Sequence, residues 1–188
     1  IQGFQNFQKM MSLILILCCI LPVVISKCFY TPDANGEVVI PANITTIASK
    51  SFQGCTALKT LIFAEGSQLT SIEFISFVGS NLQGSINIPA GCKTIGSSAF
   101  KDLKITTVTF GSGTDSQLTN IGASSFENTL ISSITIPSTV TTIGENAFLD
   151  SSKLNSVQFG GSGVGSGSAI QSIGVNAFEN TTVSQCMI

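Results

Sequence analysis

An isoleucine followed five positions later by a phenylalanine recurs six times in this chain: Ile47/Phe52, Ile72/Phe77, Ile95/Phe100, Ile121/Phe126, Ile143/Phe148 and Ile173/Phe178. The gap inside each pair is constant, while successive phenylalanines stand 25, 23, 26, 22 and 30 residues apart. A fixed motif on elastic connectors fits stacked coils, in which each unit buries its apolar side only against its neighbours. The spacing therefore predicts a repeat solenoid. Such scaffolds bind partners far more often than they catalyse.

More of each unit aligns on the Ile/Phe pair. Three residues before the isoleucine stands Ile44, Leu69, Cys92, Leu118, Val140 or Ile170. After the phenylalanine comes an apolar triplet with spacing three, then two: Leu58-Leu61-Phe63, Ile105-Val108-Phe110, Ile131-Ile134-Ile136, Leu154-Val157-Phe159 and Val183-Cys186-Ile188, with a looser version at Leu82, Ile86 and Ile88. The end of each triplet alternates in-out-in, the period of a strand. Val38 and Ile40 supply the same pattern at the start. Seven short parallel strands follow from this, one per coil and one opening the stack.

A longer period lies on top. Pro41, Pro89 and Pro137 each follow a strand, 48 residues apart; a residue with no N–H fits where a ladder stops. The alternate coils leave through polar loops at 64–67, 111–116 and 160–168, the last of them linker-like. Between isoleucine and phenylalanine, stretches such as Gly144-Glu145-Asn146-Ala147-Phe148 read as a tight turn and one helical or 3₁₀ turn. Gly96, Gly122, Gly144 and Gly174 follow four of the six isoleucines, which suggests a positive φ there.

Composition excludes several activities. With no histidine, the usual general base and the commonest metal ligand are missing. The ten carboxylates are scattered, and Glu127, Glu145 and Glu179 read as solvated turn residues of different coils. No pair is singled out for glycoside hydrolysis. The eight basic residues, all lysine, form no stripe, so nucleic acid is not an expected partner. No catalytic, cofactor-binding or metal site is expected.

Residues 1–9 lack a starting methionine and read as a non-native or upstream extension. Residues 10–26 read as a secretory signal: Lys9 precedes an apolar run from Leu13 to Ile25, too short to span a membrane, and Val24-x-Ser26 offers small residues for cleavage. Residues 27–37 form a lead-in and 38–188 the repeats. Cys18 and Cys19 leave with the signal. Cys92 and Cys186 occupy slots filled elsewhere by Val140 and Val157, as small buried hydrophobes would. The register thus argues against a stabilising disulfide, with Cys28 to Cys55 the pairing that conflicts with it least. Asn43-Ile44-Thr45 and Asn180-Thr181-Thr182 are glycosylation sequons.

The phrases IPSTVTTIGENAF (136–148), LNSVQFGGSG (154–163), IPANITTIASKSF and LTNIGASSF closely resemble the BspA-like leucine-rich repeats of bacterial and protist surface proteins. The resemblance covers about 38–188. It implies a right-handed superhelix of about six coils, each with one short parallel strand plus a turn or short helix, whose strands line a concave face. The outward strand positions are Thr60/Ile62, Ser85/Asn87, Thr107/Thr109, Ser133/Thr135 and Ser156/Gln158, flanked by Glu37/Val39 and Gln185/Met187. The resemblance implies a non-catalytic secreted or surface-exposed protein that binds proteins or cell surfaces in adhesion. The alternative is a receptor-like ectodomain or surface antigen. The 48-residue period predicts another proline where the chain stops, so a truncated C-terminal end is expected, or else edge-to-edge self-association of the last coil.

Overall fold

A computed structural model describes residues 28–111, 115–160 and 167–187, with backbone alone for 185–187. The expected non-native or upstream extension at 1–9, the signal at 10–26, most of the 160–168 loop, and the side chains of Gln185, Cys186 and Met187 lie outside the described residues.

The chain winds into a parallel β-solenoid. One side carries the seven expected strands: β1 (Glu37–Ile40), β3 (Thr60–Phe63), β5 (Gln83–Ile88), β7 (Lys104–Phe110), β9 (Ser133–Ile136), β11 (Ser156–Phe159) and β13 (Gln185–Met187). In the described strands the alternation holds: Val38, Leu61, Ile86, Val108, Ile134 and Val157 point into the core. The β5 coil, whose spacing is looser, pairs with β7 through a bulge at Gly84/Ser85.

A second set of strands goes beyond that expectation. The Ile of each Ile/Phe pair ends a two-residue strand: β2 (Thr46–Ile47), β4 (Ser71–Ile72), β6 (Thr94–Ile95), β8 (Asn120–Ile121), β10 (Thr142–Ile143) and β12 (Ser172–Ile173). These six stack in one unbroken parallel sheet, isoleucine on isoleucine. Each coil therefore holds two strands, where one was expected. Two residues are too few to show an alternating pattern within one coil, so only the recurrence between coils reveals them.

The helical turn before each phenylalanine is also absent; no helix occurs among the described residues. The reason lies two residues either side of the ring. Lys50, Ile75, Ser98, Ser124, Asn146 and Asn176 precede their phenylalanine by two and have φ between 53° and 64°. Gly54, Gly79, Asp102, Asn128, Asp150 and Asn180 follow it by two, with φ from 53° to 71°. Left-handed residues in this alternation break any right-handed helical run.

The glycines after isoleucine need correcting in the same way, because Gly96, Gly122, Gly144 and Gly174 are not among the residues with positive φ. Their role is close approach. A Cβ at Gly96 would lie 2.6 Å from the Glu73 carbonyl carbon, and one at Gly122 would lie 2.7 Å from that of Gly96. Backbone of one coil rests directly on backbone of the next.

Between the two sheets runs the phenylalanine column. Phe52, Phe77, Phe100, Phe126, Phe148 and Phe178 stack nearly parallel at centroid spacings of 5.1 to 5.4 Å. The first five are fully buried. Tyr30 covers the first ring at 6.4 Å. β12 and β2 are both edge strands, but Ile173 in β12 is 48% exposed while Ile47 in β2 is 2% exposed, as buried as the four isoleucines between them.

The disulfide expectation is overturned. Cys28 and Cys55 are bonded, with Cα atoms 5.1 Å apart. Cys55 sits in the slot three after Phe52, which other coils fill with the buried Leu103, Thr129 and Ser151. At the first coil that slot faces the lead-in, where Phe29 N–H donates to the Ser51 carbonyl and brings Cys28 within reach. A pattern shared by inner coils does not describe the coil that packs against the lead-in. Cys92, by contrast, is a buried free thiol, as its slot indicated.

Candidate binding face

The outward positions of the strands from β1 to β11 lie on one side of the molecule. Thr60, Ile62, Ser85, Asn87, Thr107, Thr109, Ser133 and Thr135 are exposed, while Ser156 and Gln158 are half-buried. The register aligns them coil on coil within each ladder: Ser85 with Thr107, Asn87 with Thr109, Ser133 with Ser156 and Thr135 with Gln158. The Thr109 hydroxyl donates to Asn87 Oδ1 at 2.8 Å, fixing the amide's orientation across one rung. Hydroxyls and amides dominate, and the anchors that usually concentrate binding energy (Trp, Tyr, Arg) are absent from these positions.

This face is not one sheet. The strands form three ladders, β1-β3, β5-β7 and β9-β11-β13, interrupted between β3 and β5 and again between β7 and β9. A proline stands at each interruption. At the closed junctions, the residue after the later strand donates to the last carbonyl of the earlier one: Ala64 to Ile40 at 3.0 Å, Gly111 to Ile88 at 2.8 Å, Gly160 to Ile136 at 2.9 Å. At the open junctions that position holds Pro89 or Pro137. Neither has an N–H for the carbonyl of Phe63 or Phe110.

A groove opens at each interruption. One, of about 570 Å³, is lined by Thr60, Ile62, Phe63, Ser85, Asn87 and Pro89 among others. The next, of about 410 Å³, is lined by Asn87, Thr107, Thr109, Phe110, Ser133 and Pro137 among others. Glu65 is the one charged residue in the first lining, and the second has none. The proline period is legible in the sequence; that it coincides with the interruptions is seen only in the strand pairing.

Apart from Glu65, the charged groups lie outside the two groove linings. Lys101 and Glu127 pair at 2.8 Å between neighbouring turns, and that hydrogen bond holds the lysine pKa above its ordinary value. Glu145 and Glu179 are exposed turn residues, as expected, whereas Glu127, expected to be solvated too, is only 15% exposed because it packs in its pair with Lys101. Asp33 Oδ1 accepts the N–H of Asn35 and of Glu37, both at 2.8 Å, and the Glu37 bond leads in lowering its pKa. Burial pushes the Cys92 thiol up to about 11. Among the described residues, no group of three His, Cys, Asp or Glu could hold a metal ion, and no helix is long and apolar enough to cross a membrane. Both sequon asparagines are exposed, although Asn180 Nδ2 donates to Asp150 Oδ1 at 2.8 Å.

Comparison with known proteins agrees with this geometry. A profile of the BspA-type leucine-rich repeat region matches residues 23–155 and 70–188, in six copies. A solved leucine-rich repeat protein from Bacteroides ovatus shares 18% identity over 78% of this chain and 41% of its own, with a TM-score of 0.55. The pneumococcal vaccine antigen PcpA is 20% identical over 85% of this chain and 54% of its own, with a TM-score of 0.46. A leucine-rich cell surface protein from Faecalibacterium prausnitzii is 25% identical over 81% and 41%, with a TM-score of 0.44. The chain thus spans about half or less of the length of these proteins. No curated relative matches.

Proposed function

Since this chain belongs to the BspA-type leucine-rich repeat family, we propose that it is a non-catalytic, secreted or surface-exposed module that binds proteins in adhesion through its strand face. One observation carries the reading: outward strand positions of successive coils line up as a neutral, hydroxyl-rich surface with two grooves, away from the charged turns. Small neutral side chains give each contact little energy, so strength comes from length and from many copies acting together. Export is supported by the Cys28–Cys55 disulfide, a bond that persists in oxidising compartments, together with the apolar segment at 13–25. The exposed Asn43 and Asn180 are then glycosylation sites wherever the host carries that machinery.

Replacing Thr107, Thr109, Ser133 and Thr135 together with lysine tests the face. These side chains point to solvent, so the fold should survive, as circular dichroism would show. Binding to immobilised extracellular-matrix proteins or to intact cells, measured by surface plasmon resonance and cell capture, should be abolished. Unchanged binding by the folded variant would rule the face out.

A further inference from the structure

The lead-in ahead of the first coil is built like the stub of another coil. Within the stack, each buried phenylalanine donates its N–H to the residue before the next ring: Phe52 to the Ser76 carbonyl, Phe77 to Ala99, Phe100 to Ser125, Phe126 to Ala147 and Phe148 to Ala177. Phe29 makes the same bond to Ser51, at 2.8 Å. Its main chain stands where the phenylalanine of an earlier coil would stand. Its own ring is 71% exposed, however, and Tyr30 takes the place over Phe52 instead.

The imitation is partial. An inner coil also adds a strand to the unbroken sheet, and its phenylalanine turn donates two further bonds to the next coil, as Lys50 does to Phe74 and Gly54 to Val78. Residues 28–30 precede β1 and bring no strand. The Tyr30 ring lies 6.4 Å from Phe52, a looser stack than the 5.1 Å between Phe52 and Phe77. One main-chain bond and one ring contact are small against the entropy of ordering a chain segment. The Cys28–Cys55 bond holds that segment beside its acceptor.

Breaking the bond leaves the coil beneath with what it needs. Cys55 occupies the slot that Leu103, Thr129 and Ser151 fill without a cross-link, so a reduced Cys55 is a small buried side chain, as Cys92 is. The first coil pairs with the second through Glu37–Ile40 and Thr46–Ile47, beyond the stub. The two cysteines also differ in access, Cys28 being half-buried and Cys55 1% exposed.

We propose that Cys28–Cys55 is a redox latch: a dithiol opens it under native conditions and frees residues 28–30 from the first ring, while the coils stay folded. A thiolate of the dithiol attacks the Cys28 sulfur, the S–S bond breaks, and the Cys55 sulfur leaves with the electron pair and takes up a proton. The second thiol then displaces Cys28 as a thiol, and the dithiol becomes a cyclic disulfide. Two electrons pass to the protein, and reoxidation seats the stub again. The latch decides whether the outer side of Phe52 is covered, and it does not depend on what the strand face binds.

The test exposes the full oxidised chain to dithiothreitol at neutral pH without denaturant and follows amide exchange by NMR. Once mass spectrometry maps both cysteines as reduced, the Phe29 amide should exchange at least tenfold faster. The amides of Phe77 and Phe100, which bond between later coils, should change less than twofold. Cys28→Ser, altered only in the stub, should show the reduced pattern without reductant. Brief exposure to glutathione followed by acid quenching should trap the mixed disulfide on Cys28 at least tenfold more than on Cys55. A Phe29 amide still protected in the reduced chain, faster exchange spreading to Phe77 and Phe100, a bond that opens only in denaturant, or glutathione found mainly on Cys55 would each overturn the proposal.

Discussion

The two sheets of this solenoid are wound from the same coils, yet one is continuous and the other is interrupted twice. The continuous sheet is made of two-residue strands. Its coils touch backbone to backbone, so four of its six turns have glycine where a Cβ would collide with the coil before. The interrupted sheet is made of longer strands whose ladder is cut wherever a proline stands opposite a carbonyl. The difference separates two duties. The narrow sheet keeps the coils in register and tolerates little, while the wide one needs only its inward residues and is free to vary outside.

That contrast can be broken or sharpened by substitution. The largest effect is expected where both sheets lean on the same ring. Phe126→Ala empties a fully buried site between two stacked neighbours and should cost about 3–5 kcal/mol in denaturant unfolding. Cys55→Ser removes a link spanning 27 residues and should cost about 3 kcal/mol, seen as a lower melting temperature than that of the oxidised protein. Equal melting of oxidised and reduced protein would show that the first coil needs no staple. Gly122→Ala tests the narrow sheet, and its Cβ, 2.7 Å from backbone atoms of the coil before, should cost about 1–3 kcal/mol. The smallest effect belongs to the wide sheet. Pro89→Ala gains one ladder bond of about 1 kcal/mol and loses a similar amount of restraint on the unfolded chain, so stability should move by less than about 0.5 kcal/mol. A larger loss there than at Gly122 would reverse the assignment of the two sheets.

What can be read from the residues follows the same division. The core register is legible because burial repeats: Ile47, Phe52, Leu58 and Leu61 and their equivalents are apolar in nearly every coil and lie inside. The outward positions Thr107/Thr109 and Ser133/Thr135 follow from the strand period alone. The narrow sheet escapes such a reading because its hydrogen bonds join residues more than 20 positions apart and leave two residues per coil to announce them. The left-handed positions flanking each phenylalanine leave only a partial trace. Asn128, Asn146, Asp150, Asn176 and Asn180 suit such angles, but Lys50 and Ile75 do not. The disulfide is hidden for a different reason. Cys55 is buried like its counterparts Leu103, Thr129 and Ser151, but in its coil the neighbour is Cys28 of the lead-in.

The phenylalanine column has a consequence for how such a chain changes over generations. Among the rings, each inner one stacks only on the ring above and the ring below, so removing or copying one proline-marked pair of coils would leave the surviving stacking contacts of the same kind. An in-frame duplication of 48 codons, the spacing of the prolines, would lengthen the molecule by one groove without redesigning anything else. Size here is a quantity that recombination can adjust in whole steps.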